Sequence, residues 1–310
     1  SFKLEKQFNE LLLSYLIDDE KYDAIKLFIE KHTFEDKEFF QSLLLIIQQI
    51  SYDFHRDENF FTKISEVITL LFDKFKKDQS LEKQIPDYYS NSEIYSFFKY
   101  NKPVLLILFD KKIIDIDQKI VALIYDQNRT EVTNNRWFFF PEIKPKLSQN
   151  QKKLIEYEIR RKRITNNDTN LDKKRHNGEN ESIICEFIRK DDISNFVPYV
   201  TKNCVNLTTV ITPSIFETNH FLIDKTPTLI EYAAFHGSIQ IIQYLFLNHV
   251  ELSPSLWIYA IHGHNPDLIH FLEDQHVKPE DETFILCLEE AIKCHHNDFA
   301  EYIENTLIDI

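Results

Sequence analysis

A helical pattern that occurs three times between Thr226 and Ile303 constrains the fold more than any other feature of the sequence. Each occurrence has an apolar triplet spaced i, i+3, i+4, a short polar break, and a second triplet spaced i, i+1, i+4. Such spacing predicts a helix–turn–helix unit, and its repetition predicts an α-solenoid. The first triplets are Ile230–Ala233–Ala234, Trp257–Ala260–Ile261 and Leu288–Ala291–Ile292; the second are Ile241–Ile242–Leu245, Leu268–Ile269–Leu272 and Phe299–Ala300–Ile303.

We call this arrangement of two apolar triplets around a polar break the repeat template. It also fits earlier parts of the chain. In Asn9–Glu30, Leu13, Leu16 and Ile17 take the buried positions of the first helix. We therefore predict an all-α protein built from degenerate helix–turn–helix repeats. The template also fits Ser90–Asp110 and Ser182–Tyr199, and amphipathic helices are predicted at Phe39–Ser51, Phe60–Phe75 and Asp117–Tyr125.

The composition of the chain, and how closely each part matches the repeat template, divide it into four regions. We predict an N-terminal helical cap or degenerate repeats in residues 1–85, and degenerate repeats with an aromatic plug in 86–143. Residues 144–180 are a basic helix and linker, and residues 181–310 are the regular repeat array. Within that array, a long insertion at Thr201–Lys225 is expected to cover one face.

The overall composition excludes several classes of protein. Only three glycines occur, and no turn of the Asn-Gly kind lies between alternating strands, so a β-rich fold is disfavoured. The formal net charge of −14 disfavours general nucleic-acid binding, which needs Lys and Arg against phosphates. No apolar run approaches the ~20 residues of a membrane helix. The four cysteines lack the close, regular spacing of a disulfide framework, so we expect reduced thiols and a cytoplasmic protein.

A basic stretch at Lys144–Arg175 interrupts the acidic chain, with eleven Lys or Arg against four Asp or Glu. Three interpretations stay open: a solvated helix end and linker, a docking site for an acidic partner, and a bipartite nuclear-import signal. The residues that would carry docking or import are Arg160, Arg161, Lys162, Arg163, Lys173, Lys174 and Arg175.

The densest aromatic cluster is the Trp137–Pro141 segment, which contains one Trp and three Phe. Burial as a plug in the core is the simpler interpretation. The alternative is an exposed anchor, because aromatic residues supply interface hot spots.

The segment Thr228–Ser238 resembles the inner-helix motif of ankyrin repeats. Thr228 and the Ala233–Ala234 pair match that motif, whereas Leu229 and Glu231 replace its usual Pro and His. The repeat spacing of 27 to 31 residues is below the ankyrin period of about 33, so shortened β-hairpin fingers are expected. Several sequence segments are similar to those of a diverged family of protist ankyrin proteins that carry a domain of unknown function. These segments are Gly178–Ser182, Pro213–Asn219, Leu229–Ser238, Pro254–Trp257 and Cys294–Asp298.

This resemblance, which covers about residue 178 to the end, implies an ankyrin-type helical stack without catalytic residues or cofactor. Its implied role is interaction with a protein partner and not with a small-molecule substrate. The surface residues that we predict to contact the partner, on or beside the buried stripes of the first helices, are Glu231, Phe235, Trp257, His262 and Lys293. Core burial of Trp257 is an equal alternative.

The reactive residue types of the sequence have simpler explanations than enzymatic or metal chemistry. The sequence has no glycine-rich phosphate loop, no nucleophile elbow and no His-Glu-x-x-His pair. Cys294 next to two histidines is a weak nucleophile candidate, because neighbours along a helix do not face each other. Cys287, Cys294, His295 and His296 have zinc-binding chemistry, but repeat alignment places His264 and His295 at the turn position of Gly237. We therefore predict no catalytic residue and no metal site.

The leading functional hypothesis is a non-enzymatic interaction module or scaffold of ankyrin type in the cytoplasm. The alternative is a structural component of a cytoskeletal or ciliary assembly, in which the basic segment docks on an acidic polymer. A third hypothesis is a nuclear factor whose import depends on the two basic clusters.

Overall fold

The computed structural model describes residues 2–34, 36–54, 56, 59–81, 89–126, 135–161, 170–223 and 225–308, without the side chains of 79–81. All regular elements in these ranges are helical, apart from one isolated bridge between Val210 and Thr228. The all-α prediction is confirmed. None of the helices described is both long and apolar enough to cross a membrane.

The chain forms two compact units. Unit 1 comprises Ser1–Tyr52 and Arg56–Gly178, and unit 2 comprises Asp53–His55 and Glu179–Ile310. The finer division into residues 1–85, 86–143, 144–180 and 181–310 stays a prediction.

Unit 1 contains the predicted helices and, in addition, three short helices at Asn135–Phe138, Phe140–Ile143 and Leu171–Asn177 that the sequence analysis did not predict. The buried Lys63 ammonium caps the C-terminal end of α1 by donating to the carbonyl oxygens of Tyr15 and Leu16. It also forms an ion pair with Asp19 at 2.6 Å. The helices are α1 (Phe2–Ile17), α2 (Tyr22–Lys31), α3 (Lys37–Asp53), α4 (Phe60–Leu81), α5 (Asn91–Phe98), α6 (Lys102–Asp110), α7 (Gln118–Tyr125), α8 (Asn135–Phe138), α9 (Phe140–Ile143), α10 (Gln149–Arg161) and α11 (Leu171–Asn177).

The buried face of α1 differs by one residue from the prediction. Leu12, Tyr15 and Leu16 are buried, whereas Ile17 is 74% exposed. The Tyr15 hydroxyl donates to the Glu66 carboxylate on α4 over 2.5 Å. Because this bond fixes the rotation of α1, the apolar stripe turns toward α4 and leaves Ile17 in solvent.

The described residues of unit 2 form four helix pairs and one additional short helix. The first helices of the pairs contact one another in order, α12 with α15, α15 with α17, and α17 with α19. The helices are α12 (Ile183–Arg189), α13 (Ile193–Lys202), α14 (His220–Ile223), α15 (Leu229–Phe235), α16 (Ile239–Leu247), α17 (Leu256–Gly263), α18 (Pro266–Asp274), α19 (Ile285–Lys293) and α20 (Asn297–Tyr302), followed by a π-helical turn at Ile303–Leu307.

Each pair turns through a left-handed residue at the same position of the template. Asp191, Gly237, His264 and His295 have φ values of 47°, 65°, 46° and 60°. Asp and His tolerate this conformation better than most residues with a Cβ. The prediction that His264 and His295 occupy the turn position of Gly237 is therefore confirmed.

The second helix of a pair ends in a similar way. His249 and His276, which follow α16 and α18, have φ values of 65° and 57°. The amide of the next residue then bonds back to the helix, Val250 to Leu245 and Val277 to Leu272. This pattern is a Schellman-type helix end. Left-handed turns thus account for four of the histidines in unit 2.

Candidate functional site

The predicted partner-binding residues lie on the first helices of unit 2. Phe235 on α15, His262 on α17 and Lys293 on α19 occupy one template position. Phe235 and His262 are only 7% and 9% exposed, whereas the Lys293 side chain is 59% exposed. The equivalent positions therefore do not form one continuous exposed surface.

The insertion at Thr201–Lys225 covers this part of the first helices. The Phe221 ring, on α14, lies 4.0 Å from the His262 ring, 5.1 Å from that of Tyr259 and 5.6 Å from that of Phe235, measured between centroids. The Lys225 ammonium lies 4.3 Å from the Phe221 ring. The insertion thus occupies a face that the sequence analysis assigns to a partner.

Hydrogen bonds hold the insertion in place. The amides of Ile211 and Leu229 donate to the carbonyl oxygens of Pro227 and Thr209 over 2.7 and 3.1 Å. The buried Glu217 carboxylate accepts from the Asn180 amide over 3.3 Å, and the Asn180 side-chain amide donates to the Thr212 carbonyl oxygen over 2.9 Å. Because these bonds are largely buried, the insertion is an integral part of unit 2.

Two further predicted contact residues are engaged inside unit 2. Trp257 is fully buried, and its indole N–H donates to the Val277 carbonyl oxygen over 2.8 Å. The Glu231 carboxylate closes the capping box of Thr228 at the start of α15 and accepts from the Ser255 hydroxyl at 2.7 Å. The structure thus places Trp257 in the core and gives Glu231 a role in helix capping.

An exposed apolar stripe on α19 was missed by the sequence analysis. Ile285, Leu286 and Ile292 are 49%, 47% and 56% exposed, and Glu289 and Lys293 lie on the same face. Ile292 occupies the template position of Ala234 and Ile261, both of which are fully buried. The prediction of a buried stripe at Leu288–Ala291–Ile292 therefore fails at Ile292. Within the described residues, no following helix pair covers it.

Charge is distributed unevenly along the chain. Residues 179–310 contain 21 Asp and Glu against 6 Lys and Arg, a net −15, so residues 1–178 carry about +1 of the total of −14. The α19 stripe thus belongs to the strongly acidic part of the chain. Such a surface attracts basic partners and repels acidic ones.

The basic segment is only partly available at the surface of unit 1. Arg160 and Arg161 end α10, and the Arg160 side chain is 78% exposed. Lys173 is exposed and Lys174 is half-buried on α11. Lys162 and Arg163 lie outside the described residues.

Arg175 departs from the predicted docking role. It is 4% exposed and donates to the Phe138 carbonyl oxygen at 3.0 Å, and it pairs with Glu142 at 2.8 Å and with Asp172 at 2.7 Å. Burial raises the pKa of the Glu142 carboxyl, and Arg175 opposes that shift. Because this guanidinium anchors α11 to the Trp137–Pro141 segment, it cannot also bind a partner.

The Trp137–Pro141 segment itself lies in the core. Its four aromatic side chains are all buried, and the Trp137 indole N–H donates to the Glu158 carboxylate over 2.9 Å. The plug interpretation is confirmed by this burial.

One group of potentially reactive side chains converges in unit 2. His262 on α17, Glu290 on α19 and Cys294 after α19 bring one N, one O and one S atom within 4.8 Å of one another, the one such group among the described residues. His262 Nε2 lies 2.8 Å from a Glu290 oxygen, and Cys294 Sγ lies 3.5 Å from His262 Nδ1. Burial alone would raise the pKa of Glu290, but hydrogen bonds and charge interactions with His262 and Lys293 lower it to about 2.

This group does not present a nucleophile. Cys294 is 1% exposed, and burial, with the nearby Glu290 charge, raises the pKa of its thiol well above the usual range. Its sulfur lies 3.5 and 3.9 Å from the two nitrogens of the His262 ring. A thiol aimed along the Nδ1 lone pair would lie much farther from Nε2. Cys294 is therefore a buried thiol without an activated geometry.

The other residues considered for zinc have separate roles. Cys287 is fully buried in α19, His295 forms the left-handed turn, and His296 bonds to the Ile261 carbonyl oxygen. Only Cys294 of the predicted set belongs to the converging group. Comparisons of the chain with protein-family models, with curated proteins and with solved structures found no match.

Proposed function

We propose that the region from Glu179 to Ile310 is an ankyrin-type, non-enzymatic protein-binding module that acts in the cytoplasm. The observation that carries this proposal is the periodicity of unit 2. Four helix pairs share a left-handed turn at one template position, and their first helices contact one another in order. Repeats of this kind have binding surfaces that follow from stacking rather than from a catalytic pocket.

The binding surface that we infer is the exposed stripe of α19, formed by Ile285, Leu286, Glu289, Ile292 and Lys293. Its three aliphatic side chains can be buried against a partner, and the acidic surroundings favour a basic one. We therefore infer an amphipathic partner helix with aliphatic residues on one face and Lys or Arg beside them. Lys293, one of the residues predicted from the sequence, lies at the edge of this stripe.

Comparative affinity capture tests this function. The intact chain, an Ile292→Lys variant and a Leu247→Lys variant are used as baits in native lysate of the source cells, and recovered proteins are quantified. Leu247 is a matched control because it is an exposed aliphatic residue, 75% accessible, on the second helix α16. The proposal expects a discrete set of proteins recovered equally by the wild type and Leu247→Lys, and at least tenfold less by Ile292→Lys. Equal recovery by all three baits would remove α19 as the binding surface.

A second candidate function rests on the basic side chains of unit 1. Arg160, Arg161, Lys173 and Lys174 lie at the ends of α10 and on α11, where Arg160 and Lys173 are exposed. These residues support docking of a structural component on an acidic polymer such as a cytoskeletal filament. Combined replacement of the four by Gln would abolish filament co-sedimentation under this candidate and leave the α19-dependent partners unchanged.

A further inference from the structure

The group formed by His262, Glu290 and Cys294 joins two successive helix pairs. His262 lies in the last turn of α17, Glu290 in the last turn of α19, and Cys294 directly after α19. The Glu290 carboxylate contacts His262 Nε2 through one oxygen at 2.8 Å and the Lys293 ammonium through the other at 3.1 Å. One carboxylate oxygen therefore faces the imidazole and the sulfur, while the other faces the surface.

The three residues occupy three different positions of the repeat template. His262 stands at the position of Phe235, Glu290 at that of Tyr259, and Cys294 at that of Gly263. Earlier pairs carry Glu186 at the Glu290 position and His236 at the Cys294 position. Among the described residues, however, only His262, Glu290 and Cys294 bring three donors together at one point.

We propose that His262 Nε2, a Glu290 oxygen and Cys294 Sγ bind one Zn²⁺ ion, with the fourth position open to water or to a partner side chain. Zinc takes His, carboxylate and Cys ligands at about 2.0–2.3 Å, which sets the ligand atoms of a tetrahedral site about 3.3–3.6 Å apart. The sulfur is 3.9 Å from Nε2, Nε2 is 2.8 Å from the carboxylate oxygen, and all three donor atoms lie within 4.8 Å of one another. A rotation that turns the Nε2 lone pair toward the sulfur, with movements of up to about 1 Å, brings these atoms to a zinc site.

The donor set selects the class of metal. A thiolate disfavours Mg²⁺ and Ca²⁺, whereas mixed S, N and O ligands suit zinc. On binding, the Cys294 thiol loses its proton to solvent and forms the Zn–S bond. The imidazole releases the Nε2 proton that it donates to Glu290 in the metal-free chain, keeps one proton on Nδ1, and binds through the Nε2 lone pair. This site differs from the Cys287, Cys294, His295 and His296 set, and it departs from the sequence-based expectation of no metal.

Cobalt titration of the intact, reduced, metal-free chain tests the site. Tetrahedral Co²⁺ with a thiolate ligand gives visible d–d bands and a near-ultraviolet charge-transfer band. The proposal expects both bands to saturate at one equivalent of Co²⁺ and to disappear when Zn²⁺ is added. Absence of the charge-transfer band in the wild type would overturn it.

Matched variants identify the ligands. Cys294→Ser should abolish the charge-transfer band, whereas Cys287→Ser, which alters another buried cysteine close by on α19, should retain it. Glu290→Gln and His262→Gln should each weaken Zn²⁺ binding by at least tenfold, and far-ultraviolet circular dichroism of each metal-free variant checks folding. If the band follows Cys287, or survives in all variants, the proposed site is wrong. The outcome is independent of partner capture, because it reports metal ligation alone.

Discussion

The imidazole of His296 donates from Nδ1 to the carbonyl oxygen of Ile261 over 2.9 Å, in the buried space between two successive helix pairs. The carbonyl oxygen can only accept, so Nδ1 carries the proton. The residues at the same template position make similar bonds to the preceding pair, Ser238 to the Ile188 carbonyl oxygen at 2.5 Å and Asn265 to that of Gly237 at 2.7 Å. A polar residue at the start of α16, α18 and α20 thus ties each of these pairs to the one before.

Replacement of His296 by Ala should lower the free energy of unfolding by about 1–3 kcal/mol, because it leaves the buried Ile261 carbonyl oxygen without this donor. His296→Asn should lose less, because Asn265 fills the same position in the preceding pair. Urea unfolding followed by circular dichroism measures both. His270→Ala, on the exposed side of α18, is the control. Equal losses for Ala and Asn would show that the side-chain amide cannot replace the ring.

Gly263→Ala should destabilise unit 2 by about 1–3 kcal/mol. A Cβ at Gly263 would lie 2.3 Å from the Ala234 carbonyl oxygen and 2.8 Å from the Gly237 amide nitrogen, so the backbones of α15 and α17 would have to separate. Thermal and urea unfolding measure the loss. Cys294→Ala in the metal-free chain is the position-matched control, because a Cβ already fits there. A Gly263→Ala variant as stable as the wild type would contradict the close approach.

Phe221→Ala should cost about 1–3 kcal/mol, since the ring is half-buried against Phe235, Tyr259 and His262. Val210→Ala, at an exposed position of the same insertion, should change stability by less than about 0.5 kcal/mol. Denaturant midpoints of the two variants provide the comparison. If both variants matched the wild type, Phe221 would contribute nothing to holding the insertion on the first helices.

The His262–Glu290 contact predicts a specific loss of stability in acid. The folded state lowers the pKa of Glu290 from its ordinary 4.5 to about 2. The stability that the Glu290 carboxylate supplies through His262 and Lys293 is therefore complete above pH 4.5 and is lost as the pH falls toward 2. The difference in unfolding free energy between wild type and Glu290→Gln should shrink across that window in metal-free protein. Glu289→Gln controls for the removal of a charge from α19, and a constant difference for Glu290→Gln would contradict the assigned cause.

Sequence periodicity predicted the helices and turns well because both depend on local interactions. The break at Asp18–Lys21 separates α1 from α2, and the template places His264 and His295 at left-handed turns. Local patterns could not fix the rotation of α1, because the Tyr15 bond to Glu66 joins residues 51 positions apart. The same reason explains Arg175, whose partner Glu142 is 33 residues away.

The candidate site was predicted less completely. Phe235 and His262 occupy equivalent positions, but Phe221 covers them from an insertion that has no counterpart in the template. Sequence reasoning also treated Ile292 as buried by analogy with Ile261, although its burial depends on a following helix pair. The converging group had only a weak signal in the sequence, because Glu186 and His236 occupy the Glu290 and Cys294 positions in earlier pairs. The convergence depends on the packing of α17 against α19, which local patterns do not specify.

The most direct test of the proposed binding surface is hydrogen–deuterium exchange of the intact chain, measured with and without the partner recovered by affinity capture. The proposed function predicts slower exchange in Ile285–Lys293 on binding, and no change in Gln149–Arg161 or Leu171–Asn177. Slower exchange confined to Gln149–Arg161 and Leu171–Asn177 would contradict it and would place the binding site in the basic segment.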